Sequence, residues 1–273
     1  MSRYETERQV ALQAVVEAAA LCRDVQTQMG EGVLEKADRS PVTVADFGSQ
    51  ALVCRRLANA FPGDPIVAEG DAAELRRSTN DALRHQMLAH VRRAVADAAS
   101  DDVLDWIDRG SHDGSASRFW TLDPIDGTKG FLRREQYAIS LALIVDGRIA
   151  VGALCCPSYP LQDGRRRGIV CIAEQDEGAW ETSLDRDGEC ASLRVRPAAD
   201  QRAIRVCESV EAAHSSHGDS ARIAQALDIG APPVRMDSQA KYAAVARGDA
   251  DAYLRLPKGP DYREKIWDHA GGV

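Results

Sequence analysis

The sequence predicts an α/β protein, with an α+β first half and an α/β second half. Three features point there. Apolar residues recur at three- and four-residue spacing through much of the first hundred residues, a block of apolar, strand-like runs follows from about residue 119 to 156, and short strands then alternate with short helices. At 273 residues with 44% hydrophobic content, the chain can bury a substantial core. A soft boundary near Cys156–Pro157 divides it into expected domains 1–156 and 157–273.

From Tyr4 to Gln28, Ala11, Ala14, Val15, Ala18, Cys22 and Val25 mark one face of a long amphipathic helix closed near Gly30. After Ser40-Pro41, Val42-Thr43-Val44 reads as a short extended run, and Asp46 as the start of a second helix that Phe61-Pro62-Gly63 stops. Pro65 to Ala68 is a short strand running into Glu69. Leu83, Met87, Val91 and Val95 predict a third helix over about Thr79 to Ala99.

The polar segment 108–118 is a surface loop, and Phe119 to Leu122 a strand. YAISLALIV and IAVGALCCP form a hairpin across Asp146-Gly147. Beyond Pro157 the strands GIVCIAE and AIRVCES mix with helices over Ala221 to Leu227 and Gln239 to Ala246, and ADAYLRLP and KIWDHAGGV close the sequence.

A net charge of −8 and a pI of about 5.3 argue against sequence-independent nucleic-acid binding, which draws on a clustered cationic surface. Seven cysteines, at 22, 54, 155, 156, 171, 190 and 207, are odd in number, lack a C-x-x-C pair and sit mostly in apolar runs. They read as reduced, buried thiols of an intracellular protein. No signal peptide and no run of about 18 apolar residues is present, so the expected setting is the cytoplasm, without membrane contact.

The run WTLDPIDGTKGFLR (120–133) carries the chemistry. Pro124 fixes φ at the second position of a tight turn, which lets Asp123 and Asp126 project to one side. Two such carboxylates repel unless a cation lies between them, and an oxygen-only set suits Mg²⁺ rather than zinc. Gly127-Thr128-Lys129-Gly130 can start a helix whose free N–H groups donate to phosphate oxygens. The competing reading is a capped turn with two solvated aspartates. Asp46, Glu69 and Asp268 are three more acids at strand-to-helix junctions, each open to the same plain alternative of a helix cap or a solvated loop acid.

The segments SPVTVAD (40–46), IVAE (66–69), WTLDPIDGT (120–128) and WDHAGG (267–272) resemble the signatures of the lithium-sensitive, magnesium-dependent phosphomonoesterases that include inositol monophosphatase. GTKGFLR, the HSSH segment (214–217), DSQAKYAAVARGDADAYLRLP (237–257) and YREKIWDHAGG (262–272) resemble the branch that removes the 3′-phosphate from adenosine 3′,5′-bisphosphate.

The resemblance implies a layered αβαβα sandwich with most metal ligands in its first domain. It implies two or three Mg²⁺ ions held by Glu69, Asp123, Asp126, Asp268 and the carbonyl of Ile125. It implies that Thr128 and Asp46 polarise the attacking water, that Gly127 and Thr128 contact phosphate, and that His214, Ser238, Lys241, Arg255 and Asp268 hold a nucleotide bisphosphate, with the sulfated nucleotide as a further candidate. A threonine hydroxyl is no base by itself, but hydrogen-bonded to a carboxylate it can relay a proton. Read without the resemblance, His214, Ser238, Lys241 and Arg255 are ordinary helix or strand residues. No oligomeric state is implied.

Three departures stand out. Gly70 occupies a position where the family usually has a second acid, DGRRRG (163–168) is unusually basic, and the sequence ends at Val273, where relatives continue through a further strand and helix. The expectation from the last is an incomplete C-terminal part with an exposed sheet edge. Two rival functions remain: an inositol phosphate phosphatase, and a fragment that binds metal or nucleotide without turnover.

Overall fold

The structure, a computed structural model, describes residues 2–29, 40–161, 164, 167–185, 190–197, 200–210, 217–256 and 262–273. The first helix, α1 (Glu5–Gln28), buries the predicted stripe from Ala11 to Val25. The second, α2 (Ser40–Ala60), corrects the sequence reading: Val42–Val44 are helical rather than extended, and Asp46 lies well inside the helix rather than at its cap. Val42, Ala45, Ser49 and Leu52 fall at helical spacing and are all buried, and the burial of that stripe overrides the β-preference of two valines and a threonine.

Strand β1 (Ile66–Ala68) leads to a 3-10 turn at Ser78–Asn80, then α3 (Asp81–Ala94) and α4 (Ser100–Asp108). The helix expected over 79–99 forms as α3 but stops short at Ala94, because the chain turns out of helical geometry at Val95 (φ −134°, ψ 89°); α4, which buries Val103, Leu104 and Ile107, was not expected.

The next strand, β2 (Arg118–Asp126), is longer than expected and takes in the DPID run. A short helix, α5 (Thr128–Arg133), follows, then β3 (Ala138–Val145) and β4 (Arg148–Pro160) around the predicted Asp146-Gly147 turn, where both residues have positive φ (50° and 74°). The sheet continues through β5 (Arg167–Glu174), β6 (Gly178–Ser183) and β7 (Ala191–Ser192), in sequence order from β1 to β7. Only β1 and β2 run parallel. The position 156/157 proposed as a domain boundary falls inside β4.

Three parallel strands, β8 (Val206–Ser209), β9 (Val234–Met236) and β10 (Ala252–Tyr253), form a second sheet in the order β10-β8-β9, with α6 (His217–Ala226) and α7 (Ala240–Ala246) as crossovers. The layers alternate. Helices α1 and α2 cover one face of the large sheet, and α7 lies between its other face and the small sheet, where Ala240, Ala243 and Ala244 meet Leu154 and Cys156. Beyond the small sheet, α6 lies across a cavity of about 460 Å³ lined by Val206 and Ala224. This is the αβαβα order. A 3-10 turn at Ile266–Asp268 rests on the α7 side of β2 and β3, with Trp267 and Ala270 against Phe119 and Ala142.

All seven cysteines are free thiols, Cys190 exposed and the others buried. Among the described residues, no helix is long and apolar enough to cross a membrane.

Asp251 fastens the small sheet. Its carboxylate accepts from Arg196 Nε and Nη2 (2.9 and 2.6 Å) and from the backbone N–H of Arg205 (2.7 Å), and the Arg196 bonds hold its pKa down at about 2. An unfolded aspartate titrates near ~3.9. The folded value is the lower one, so this stabilisation is complete above the unfolded pKa and fades as pH falls towards 2. Asp251→Asn is therefore expected to be less stable than the parent at pH 6, with the gap narrowing by pH 2; urea titrations at the two pH values check this.

Candidate active site

The geometry begins with a bulge. Asp123 pairs with Ser140 and Asp126 with Ala138, so three steps along β2 face two along β3. One extra residue shifts the alternation, sending Ile125 into the core with Leu122 while both aspartates share the opposite face. The expected shared side is observed, but through a bulged strand rather than a tight turn. Ser49 of α2 secures the bulge by donating to the Pro124 carbonyl (3.0 Å).

Parallel pairing of Ala68 with Leu122 places Glu69 beside Asp123 at the strand ends. The 266–268 turn brings in Asp268. Glu69, Asp123, Asp126 and Asp268, with Ile125, line one wall of a cavity of about 280 Å³. Asp46 is not in that lining; it stands behind Glu69 on α2.

These acids strain one another. Burial, then the Asp126 and Glu69 charges, pushes the Asp123 carboxyl well above the usual range; burial, then Glu69, does the same to Asp46. Glu69 is raised by burial and by Asp268 and Asp126. Asp126 is raised by burial, opposed by Lys241 and by the Gln239 N–H. Among the described residues, Oδ1 of Asp46 and Oδ1 of Asp123 are buried without a hydrogen-bond partner. A cation relieves both defects, and the set of oxygen donors fits a hard divalent ion. Among the described residues, no three acid, histidine or cysteine side chains converge on one point. Such an ion would therefore take one or two carboxylates at a time and complete its shell with water and phosphate oxygens, the habit of Mg²⁺.

The opposite wall comes from the small sheet, α7 and the segments flanking them: Ser209, Ser238, Lys241, Tyr253, Arg255 and Tyr262. Lys241 is buried, and its ammonium donates to the carbonyls of Ser238 (2.5 Å) and Met236 (3.2 Å). Burial lowers its pKa, and the Asp126 charge opposes that. Arg255 is paired with Glu264 and with Asp268 (2.9 Å). Ser238 has a left-handed backbone (φ 64°), and its hydroxyl accepts from the N–H of Ala240, so it caps α7 as well as facing the cavity. Gly127 (φ 84°) and exposed Thr128 form the floor at the start of α5.

Nearly all the predicted residues thus meet in one cavity. Thr128 lines the cavity and Asp46 does not, with no hydrogen bond between them, and His214 lies outside the described residues. Gly70 is closed off: Gln50 bonds to both its carbonyl and its N–H, and a Cβ there would meet Gln50 and Phe47 at 3.2 and 3.3 Å. Half of the basic 163–168 run lies outside the described residues, and its last two residues, Arg167 and Gly168, begin β5. Sequence reading missed Tyr253, Tyr262 and Ser209. Tyr253 could have been found, since it precedes Arg255 by two residues in an extended run and so shares its face.

The model of the inositol monophosphatase family matches residues 3–273. A 3′(2′),5′-bisphosphate nucleotidase of Emericella nidulans is 41% identical over 98% of this chain and 84% of its own length. One from Schizosaccharomyces pombe is 42% identical over 98% and 82%. Among solved structures, the inositol monophosphatase from Anabaena aligns over 100% of this chain and 81% of its own, with a TM-score of 0.63 at 16% identity.

At Gly127 an added Cβ would lie 2.7 Å from Cβ of Ser238, whereas at Gly147, also left-handed, it would meet nothing within 4 Å. Gly147→Ala should lose about 1 kcal/mol from backbone strain alone, and Gly127→Ala distinctly more, up to about 3 kcal/mol. Equal losses in urea unfolding would show that the approach of Ser238 is immaterial.

Proposed function

The chain belongs to the inositol monophosphatase family, and we propose that it is a metal-dependent phosphomonoesterase that hydrolyses adenosine 3′,5′-bisphosphate to AMP and phosphate. The observation that carries this reading is the pairing of walls in one cavity: clustered carboxylates on one side, Lys241 and Arg255 with two tyrosines on the other. An inositol phosphate needs the first wall, whereas a purine nucleotide with a second phosphate also uses the aromatic and cationic second. The relatives named above, at about 40% identity over nearly the whole chain, support the same choice.

Glu69, Asp123, Asp126, Asp268 and the Ile125 carbonyl would hold two or three Mg²⁺ ions. When bound, these supply positive charge to the phosphoryl oxygens and make water more acidic. The chain's own residues do the rest. Gly127 and Thr128, at the start of α5, face the cavity where phosphate would sit. The Thr128 hydroxyl orients the attacking water opposite the leaving 3′-oxygen, and Asp46, whose Oδ1 has no partner among the described residues, is the acceptor towards which the proton is relayed. Ser238, Lys241 and Arg255, with His214, grip the nucleotide and its second phosphate, giving an acidic chain the local positive charge it needs. The sulfated nucleotide presents the same 3′-phosphate.

Phosphate release from adenosine 3′,5′-bisphosphate and from inositol 1-phosphate, each with Mg²⁺ and with or without Li⁺, tests the reading. Lithium-sensitive release favouring the nucleotide is expected; preference for the inositol ester would overturn it. Asp126→Asn should bring turnover to background yet melt no lower than the parent in chelator, because it removes one of several mutually repelling acids. Lys241→Met should lower kcat/KM for the nucleotide roughly 10- to 100-fold more than for a simple aryl phosphate. Equal losses would remove Lys241 from nucleotide recognition.

A further inference from the structure

Gln239 is 1% exposed, yet its side chain and its backbone N–H are all engaged with elements that carry the acids. Its Oε1 accepts from the Ser140 hydroxyl (2.8 Å), its Nε2 donates to the Trp267 carbonyl (2.9 Å), and its backbone N–H donates to Oδ2 of Asp126. Ser140 is the cross-strand partner of Asp123, and Trp267 directly precedes Asp268. One amide therefore joins the bulged strand pair to the 266–268 turn. Its orientation is fixed by its partners, since a carbonyl can only accept: Nε2 must face Trp267, which leaves Oε1 for Ser140.

Among the described residues the turn has few other directional ties: Nδ1 of His269, next to Asp268, meets the Tyr242 hydroxyl of α7 (2.7 Å), which ties the turn to that helix and not to the strands. The turn is a three-residue 3-10 segment, and the Arg255–Asp268 pair is partly exposed. Apolar contacts of Trp267 and Ala270 press the turn onto the sheet without setting a direction. The approach is tight at the same serine, for a Cβ on Gly271 would lie 2.3 Å from the Ser140 hydroxyl.

We propose that Gln239 is a positioning residue for the cation-holding acids: the chain Ser140–Gln239–Trp267 sets how far Asp268 stands from Asp123 and Asp126. This rests on the metal-dependent reading of the site. A coordinating carboxylate placed by a directional bond keeps its geometry when the ion arrives, whereas one held by packing alone must be ordered at the expense of affinity.

The test is calorimetric titration of the whole chain with Mn²⁺, alongside thermal unfolding in chelator. Gln239→Leu, which keeps the bulk and removes the amide, should weaken Mn²⁺ binding roughly 10- to 100-fold. Because the effect passes through Asp268, adding Gln239→Leu to Asp268→Asn should produce little further loss. A Gln239→Leu protein that melts lower but binds Mn²⁺ as tightly as the parent would overturn the assignment, leaving a structural role only. Full additivity with Asp268→Asn would also overturn it. Should Gln239→Leu fail to fold, Ser140→Ala decides: it removes the hydroxyl that holds the amide, so a weaker ion supports the assignment and an unchanged one overturns it. If the parent itself binds no Mn²⁺, the metal site falls, and this assignment with it.

Discussion

Asp123 and Asp126 repel each other across the bulge of β2, and the surrounding architecture answers that repulsion. The extra residue in the strand puts both carboxylates on the cavity side of a sheet whose other face is sealed by α1 and α2, so neither can turn away from the other into that face. Parallel pairing with β1 then adds Glu69, and the turn before Ala270 adds Asp268. Each step raises the electrostatic load in one small volume. The fold tolerates it through a few placed countercharges and donors: Lys241, the N–H of Gln239, and Arg255.

The same constraint explains the cavity's asymmetry. Three acids come from strand ends of the large sheet and one from the 266–268 turn, whereas the cations and tyrosines come from α7, the small sheet and the segment after β10. Helix α7 packs against β4 through three alanines, close enough for Gln239, at its entrance, to reach Asp126 and Ser140. Small side chains in that layer are thus a condition for the site and not only for the core.

Long-period features were legible in the sequence, and local conflicts were not. Helix α1 and the β3–β4 hairpin carry one unambiguous pattern each and formed as expected. Val42-Thr43-Val44 has strand chemistry but a helical burial stripe, and tertiary burial decided in favour of the helix, moving Asp46 off its expected cap. The bulge escaped notice because proline between two aspartates favours a turn locally, and only the register against β3 shows the extra residue. Glu69, Asp123, Asp126 and Asp268 were found because acids at strand or helix junctions are visible in a string. Gln239 and Ser140 were not, since their importance lies in partners 28 to 113 residues away.

Arg255 shows what such crowding implies for the order of events. Its guanidinium is engaged with Asp268 and Glu264, so an N–H used there is withheld from any phosphate. A cation that took Asp268 would free that N–H of Arg255 for an anion, and an anion that took Arg255 would free Asp268 for a cation. Two ligands of opposite charge would thereby be thermodynamically linked, each raising the other's affinity by the same factor. Until either ligand binds, the arginine stands in for a cation at Asp268 alone, while the other acids of the cavity go on repelling one another.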